Sequence, residues 1–164
     1  DAIDRANVQV HFIGQLQTNK VKYIADKVDM IQSLDSLPLA REIEKRCAAL
    51  GRTMDCLVEV NLEGEAAKGG VPYDEAEAFV DSLAAFPHIR VRGLMTVPPK
   101  CGEIAKKLGY FQKIYQKFID IRGKKVDNSF MDILSAGMSG DYEQAVACGS
   151  NMVRVGRAIF GERT

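Results

Sequence analysis

Two segments near the end of the chain carry residue types that can grip an anion. Leu134-Ser-Ala-Gly-Met-Ser-Gly-Asp141 lies where a strand pattern gives way to a helix pattern. Gly137 and Gly140 allow close backbone approach, and Ser139 offers a hydroxyl. The free N–H groups of a following helix favour negative charge. Taken alone, the same segment is also an ordinary tight turn with Asp141 as helix N-cap. Its partner is Asn151-Met-Val-Arg-Val-Gly-Arg-Ala-Ile-Phe-Gly161. Arg154 alternates with Val153 and Val155, so its side chain shares a face with Met152 and Gly156. A charge directed into a packed interior must be compensated. Arg154 therefore meets a ligand or a buried carboxylate, unless its strand is an edge open to solvent. Gly156 ends the strand and can bare N–H groups toward a phosphate.

Other segments are less specific. In His11-Phe-Ile-Gly-Gln-Leu-Gln-Thr-Asn-Lys20, His11 is flanked by apolar residues, and Gln17, Asn19 and Lys20 crowd the end of a strand. That end is the functional face of parallel α/β folds. His11 is a site residue or a core histidine. Asn61 and Lys68 flank a loop rich in glycine and charge, and Asn61 is a site or a turn residue. Met95 ends its strand and serves as core or as a cofactor wall. No Ser/His/Asp arrangement is legible, and His88, after Pro87, looks solvent-facing.

The elements that must position these residues alternate. Strands are expected over 8–14, 30–34, 55–61, 91–97, 131–135 and 151–155. Helices are expected over 18–27, 37–50, 74–86, 101–122 and 142–148, with Ser36 and Asp141 as N-caps and Gly51 as a stop. Parallel crossovers need this spacing, so the chain reads as a parallel α/β fold. An open doubly wound sheet and a barrel both fit. The first strand lacks a G-x-G-x-x-G turn, which disfavours a dinucleotide fold. A closed barrel takes eight units and about 250 residues, whereas this chain has six strands in 164 residues.

Composition narrows the class. Lys+Arg and Asp+Glu both number 22, so no charge imbalance points to nucleic acid. No apolar run reaches membrane length. Cys47, Cys56, Cys101 and Cys148 form no C-x-x-C pair and there are two histidines, which argues against zinc and against a disulfide framework. Cys56 and Cys148 read as small core residues, and a reducing cytoplasm is the expected location.

Four motifs in order make the resemblance specific: His11-Phe-Ile-Gly-x-Leu-Gln-x-Asn-Lys20, Arg92-Gly-Leu-Met95, Leu134-Ser-x-Gly-Met-Ser-x-Asp141 and Val153-Arg-x-Gly-x-x-Ile-Phe-Gly161. Together they resemble the pyridoxal 5′-phosphate homeostasis proteins, which share the (β/α) barrel of the alanine racemase N-terminal domain. The resemblance implies a single barrel domain that binds pyridoxal 5′-phosphate and buffers or delivers it, without established turnover. By motif position, Ser139 matches the phosphate-binding serine. Gly156 and Arg157 match backbone N–H donors to the phosphate, and Arg154 matches the arginine facing the pyridine nitrogen. His11, Met95 and Asn61 are further cofactor-site candidates. Arg157 replaces a small hydroxyl residue usual in the family and can pair with phosphate directly.

The family's cofactor lysine lies in an early Val-Ser-Lys-Thr-Lys-Pro-like segment, followed by a Phe-Gly-Glu-Asn-like one. Neither occurs here, and Lys20, Lys22 and Lys68 do not match the motif. The expectation is a partial barrel over residues 1–164, with about six of eight β/α units, the first two missing, and sheet edges open to self-association. A racemase-like enzyme of the same barrel, or an interaction module with a vestigial phosphate site, are the alternatives.

Overall fold

The computed structural model describes residues 7–64, 69–99 and 101–162; Lys68 lies outside them. Seven strands form one parallel sheet. They are β1 (His11–Phe12), β2 (Met30–Leu34), β3 (Met54–Asn61), β4 (Val71–Pro72), β5 (Ile89–Met95), β6 (Ser129–Met138) and β7 (Met152–Arg154). Their order is β1-β2-β3-β5-β6-β7, with the short β4 beside β3. Every pair is parallel, from His11 opposite Met30 to Met138 opposite Arg154. The helices are α1 (Leu37–Leu50), α2 (Ala76–Ser82), α3 (Ile104–Arg122), α4 (Tyr142–Ala147) and α5 (Arg157–Phe160). This is a parallel half-barrel with six strands in its main path. Among the described residues, β1 and β7 pair on one side only.

Strand alternation separates two faces. One face packs under the helices: Ile31, Cys56, Val58, Val91 and Leu134 meet Ile43, Val80, Ile114 and Phe118 in the main core. The other face lines the lumen and is layered. At the amino ends of the strands, Asp55, Arg90, Arg92 and Asp132 form an ion-pair floor. Above it Met30, Leu57 and Met95 form a small apolar cluster with Ile133. Toward the carboxyl ends the lumen turns polar, with Gln32, Glu59, Ser135 and Arg154.

Several local expectations change. The segment 18–27 is a 3-10 helix over Thr18–Tyr23 rather than an α-helix. The segment 74–86 is a short α-helix between two 3-10 turns. The third helix starts at Ile104, since Pro98 and Pro99 hold the preceding chain extended. Strand β4 and helix α5 are additional to the expected elements. Ser36 and Asp141 occupy N-cap positions without side-chain cap bonds to their helices; Asp141 Oδ1 instead accepts the Met138 N–H at 2.8 Å. His88 is not free in solvent: its Nδ1 lies 2.7 Å from Glu44 Oε1, and its N–H donates to Glu44 Oε2. Cys47 and Cys56 are buried and Cys148 half-buried. Among the described residues no helix is long and apolar enough to cross a membrane, and no group of three potential metal ligands gathers.

Candidate functional site

The chain closes on itself at the carboxyl ends of β6 and β7. Gly137 adopts φ +96°, and a Cβ there would come within 2.7 Å of the Ala145 Cβ and 2.9 Å of the Tyr142 Cα. Glycine is therefore what lets α4 fold tightly back over the end of β6. β7 is docked on β6 by side chains. Asn151 Oδ1 accepts the Leu134 N–H and Asn151 Nδ2 donates to Asp132 O, both at 2.8 Å. Ser150 Oγ accepts the Ala136 N–H at 3.2 Å. These bonds fix the distance between the loop after β6 and the loop after β7.

In the gap between those loops, Ser139 Oγ accepts the N–H groups of Gly156 and Ala158, each at 3.2 Å. Sequence reasoning picks Gly156 and Arg157 as the backbone donors, and the geometry brings Gly156 and Ala158 onto the hydroxyl. Ala158 carries no side-chain signal; the turn of α5 directly after Gly156 presents its N–H. Ser139, Gly156, Arg154, Arg157, Met138 and Phe160 line one cavity of about 530 Å³. The Arg157 side chain is exposed and lies 3.4 Å from Glu162 Oε1.

Arg154 leaves this cavity and enters the lumen. Its Nη1 donates to Ser135 Oγ at 2.6 Å and its Nη2 to Thr96 O at 2.8 Å. Burial pulls its pKa down, and the carboxylates of Glu59 and Asp141 oppose that. A guanidinium stays charged in any protein setting, and Glu59 and Asp141 are the compensating carboxylates within electrostatic range. Glu59 in turn is raised above the usual carboxylate range, first by burial and then by Asp35, with Arg154 opposing. Behind Arg154, Ser135 donates to Gln32 Oε1 at 2.7 Å, and Gln32 Nε2 lies 2.9 Å from His11 Nδ1. His11 is thus joined to Arg154 through two side chains that sequence reasoning does not single out. Burial lowers the His11 pKa, against the pull of Asp29 and Asp55.

The remaining candidates lie apart. Met95 is buried in the apolar layer beneath the polar one. Asn61 accepts the Gly64 N–H at 3.0 Å and borders a separate recess with Glu59, Gly69 and Val97. Lys20 and Lys22 flank the Tyr23 ring at 5.7 and 4.9 Å.

Comparison with known proteins places this arrangement. The family described as "Alanine racemase, N-terminal domain" matches residues 3–164. A pyridoxal phosphate homeostasis protein of Aquifex aeolicus is 39% identical, over 99% of this chain and 71% of its own length. The chain belongs to the pyridoxal phosphate homeostasis protein family, on the alanine racemase N-terminal domain fold. A Haemophilus influenzae protein of the same name is 34% identical over 96% of this chain, which spans 66% of that relative. Among solved structures, PipY of Synechococcus elongatus without pyridoxal phosphate superposes with a TM-score of 0.87. It is 28% identical, with 95% of this chain and 72% of PipY covered. PipY with pyridoxal phosphate bound superposes at 0.86 and 27% identity, covering 96% of this chain and 72% of PipY. PipY therefore shares the half-barrel described above as part of its fold.

Proposed function

We propose that this chain binds pyridoxal 5′-phosphate and acts in its intracellular homeostasis, holding or delivering the cofactor. The observation that carries this reading is the convergence of the Gly156 and Ala158 N–H groups on the Ser139 hydroxyl, at the lip of a cavity that Arg154 also lines. A hydroxyl, two N–H groups and nearby guanidinium charge are the donor set a phosphate requires. The residues present fit the cofactor. On this reading Ser139, Gly156 and Ala158 take the phosphate, with Arg157 as an exposed counter-charge at the rim. Arg154 faces the pyridine nitrogen, and His11 belongs to the same lumen. Met95 supports the floor beneath the ring, and Asn61 stands at the neighbouring mouth.

Bound pyridoxal phosphate supplies an electrophilic carbonyl and an electron-withdrawing ring. An arginine at the ring nitrogen cannot give that nitrogen a proton, so it weakens the electron sink and favours holding over turnover. The family names of the relatives and the cofactor in PipY support this over a racemase-like activity. Among the described residues, β1 and β7 each pair on one side only, which leaves backbone donors and acceptors on their other sides. We therefore expect self-association, which sedimentation velocity would detect and a monodisperse monomer would contradict.

The decisive experiment is a titration with pyridoxal 5′-phosphate followed by absorbance and equilibrium dialysis, competed with inorganic phosphate. Ser139→Ala should weaken binding about 3- to 10-fold, and pyridoxal without phosphate should bind far less well. Equal affinity for the two compounds would overturn the phosphate grip.

A further inference from the structure

Four polar side chains from four strands form a hydrogen-bond chain through the lumen, and the chain has a direction. Arginine carries donors only, so Ser135 Oγ accepts from Arg154 Nη1 at 2.6 Å. The Ser135 proton then goes to Gln32 Oε1 at 2.7 Å. That orientation turns Gln32 Nε2 toward His11 Nδ1 at 2.9 Å and toward Met152 Sδ at 3.2 Å. The reverse orientation of the amide would place two donors on Ser135 and set the amide oxygen against the thioether sulfur. Gln32 and Ser135 are only 2% and 0% exposed, so bulk water offers no substitute partners.

An amide nitrogen donates and never accepts, so His11 Nδ1 is the accepting, unprotonated nitrogen. A neutral imidazole then carries its proton on Nε2. Nε2 is buried and, among the described residues, has no hydrogen-bond partner. A buried unpartnered donor is costly, and the protein retains it on the same polar layer as Arg154.

We propose that Gln32 and Ser135 are positioning residues of the ligand pocket, which brace Arg154 and lock His11 in the Nε2–H tautomer. His11 then offers a neutral donor toward the lumen that an acceptor atom of a ligand can satisfy. The identity of that ligand rests on the reading above, whereas the relay belongs to the ligand-free protein.

The test exploits the fact that His11 and His88 are the only histidines. A long-range proton–nitrogen correlation spectrum of the nitrogen-15 protein without ligand reports both tautomers, and His88→Asn assigns them. His11 should appear as the Nε2–H form in the wild type. Gln32→Leu and Ser135→Ala should give mixed tautomers, and Ser135→Thr should restore the single form. The same two variants should bind pyridoxal 5′-phosphate about 3- to 10-fold more weakly. A wild-type His11 protonated on Nδ1 overturns the relay without any variant having to fold. So does binding to the wild type with a tautomer that neither substitution moves. If the tautomers respond as stated but the wild type fails to bind pyridoxal 5′-phosphate, the functional reading falls and the relay stands.

Discussion

His11 shows what one residue contributes beyond the ligand. Its folded pKa lies below the ordinary value of 6.5, chiefly because burial penalises the charged ring. The unfolded chain therefore takes up the proton first as pH falls. Stability is full above the unfolded value and is lost as pH drops through the folded one. Urea titrations from about pH 7.5 to pH 5 should show the wild type losing stability more steeply than His11→Gln. Identical slopes would contradict the burial of a neutral imidazole. Ser139, Arg154 and Gly156 stand out as candidates only through the motifs that carry the resemblance, because a hydroxyl and a glycine at a strand end also suit an ordinary turn. Gln32, Glu59 and Ser135 do not stand out, because a polar residue alternating with apolar ones normally marks a solvent face. Only the pairing of the strands around a lumen turns that face inward.

At the scale of elements, β5 and β6 depend on one glycine. Pairing runs from Val91 opposite Ser129 to Gly93 opposite Ile133, so the register shifts between them. A Cβ at Gly93, where φ is +153°, would sit 1.7 Å from the Ile133 carbonyl oxygen. That contact is with backbone and cannot be relieved by a rotamer change. Gly93→Ala should cost about 3 kcal/mol by urea unfolding, and a loss under about 0.5 kcal/mol would mean the bulge is not a fixed feature. Strands β2, β3, β5 and β6 and the helices α1 and α3 are legible because apolar periodicity spans most of each element, whereas β4, two residues long, is too short to show one. The bulge is not legible, since nothing in Arg92-Gly-Leu distinguishes a packing glycine from a turn glycine. The 3-10 geometry of Thr18–Tyr23 is likewise hidden. Val21, Ile24 and Ala25 have α-helical spacing, and just past the 3-10 segment the Ala25 N–H does make an α-type bond to Val21 O at 3.0 Å.

Across the whole molecule, the lumen divides its labour along the strand direction. The polar layer near the carboxyl ends carries the proposed ligand site, and the floor at the amino ends ties β3, β5 and β6 together. Arg92 Nη1 donates to Asp55 Oδ2 at 2.8 Å and Arg92 Nε to Asp132 Oδ1 at 2.9 Å, while Nη2 reaches Asp132 Oδ2. The hydrogen bonds from Arg92 to Asp132, first among the causes, hold the Asp132 carboxyl below the usual carboxylate range against the opposing effect of burial. A depressed carboxyl stabilises the fold above its unfolded value, and that contribution is lost as pH falls through the folded one. Because Asp132 is half exposed, the stabilisation is discounted for solvent screening. Arg92→Leu should then cost about 1–2 kcal/mol at neutral pH, with the difference shrinking as pH falls below the ordinary Asp132 value of 3.8 and through its lower folded value. Met30, Leu57 and Met95 separate this floor from the polar layer, so pyridoxal 5′-phosphate affinity should change less than about 2-fold. Ser139→Ala should do the opposite, changing affinity and sparing stability. If Arg92→Leu weakened ligand binding as much as Ser139→Ala does, the apolar layer would not insulate the site from the floor.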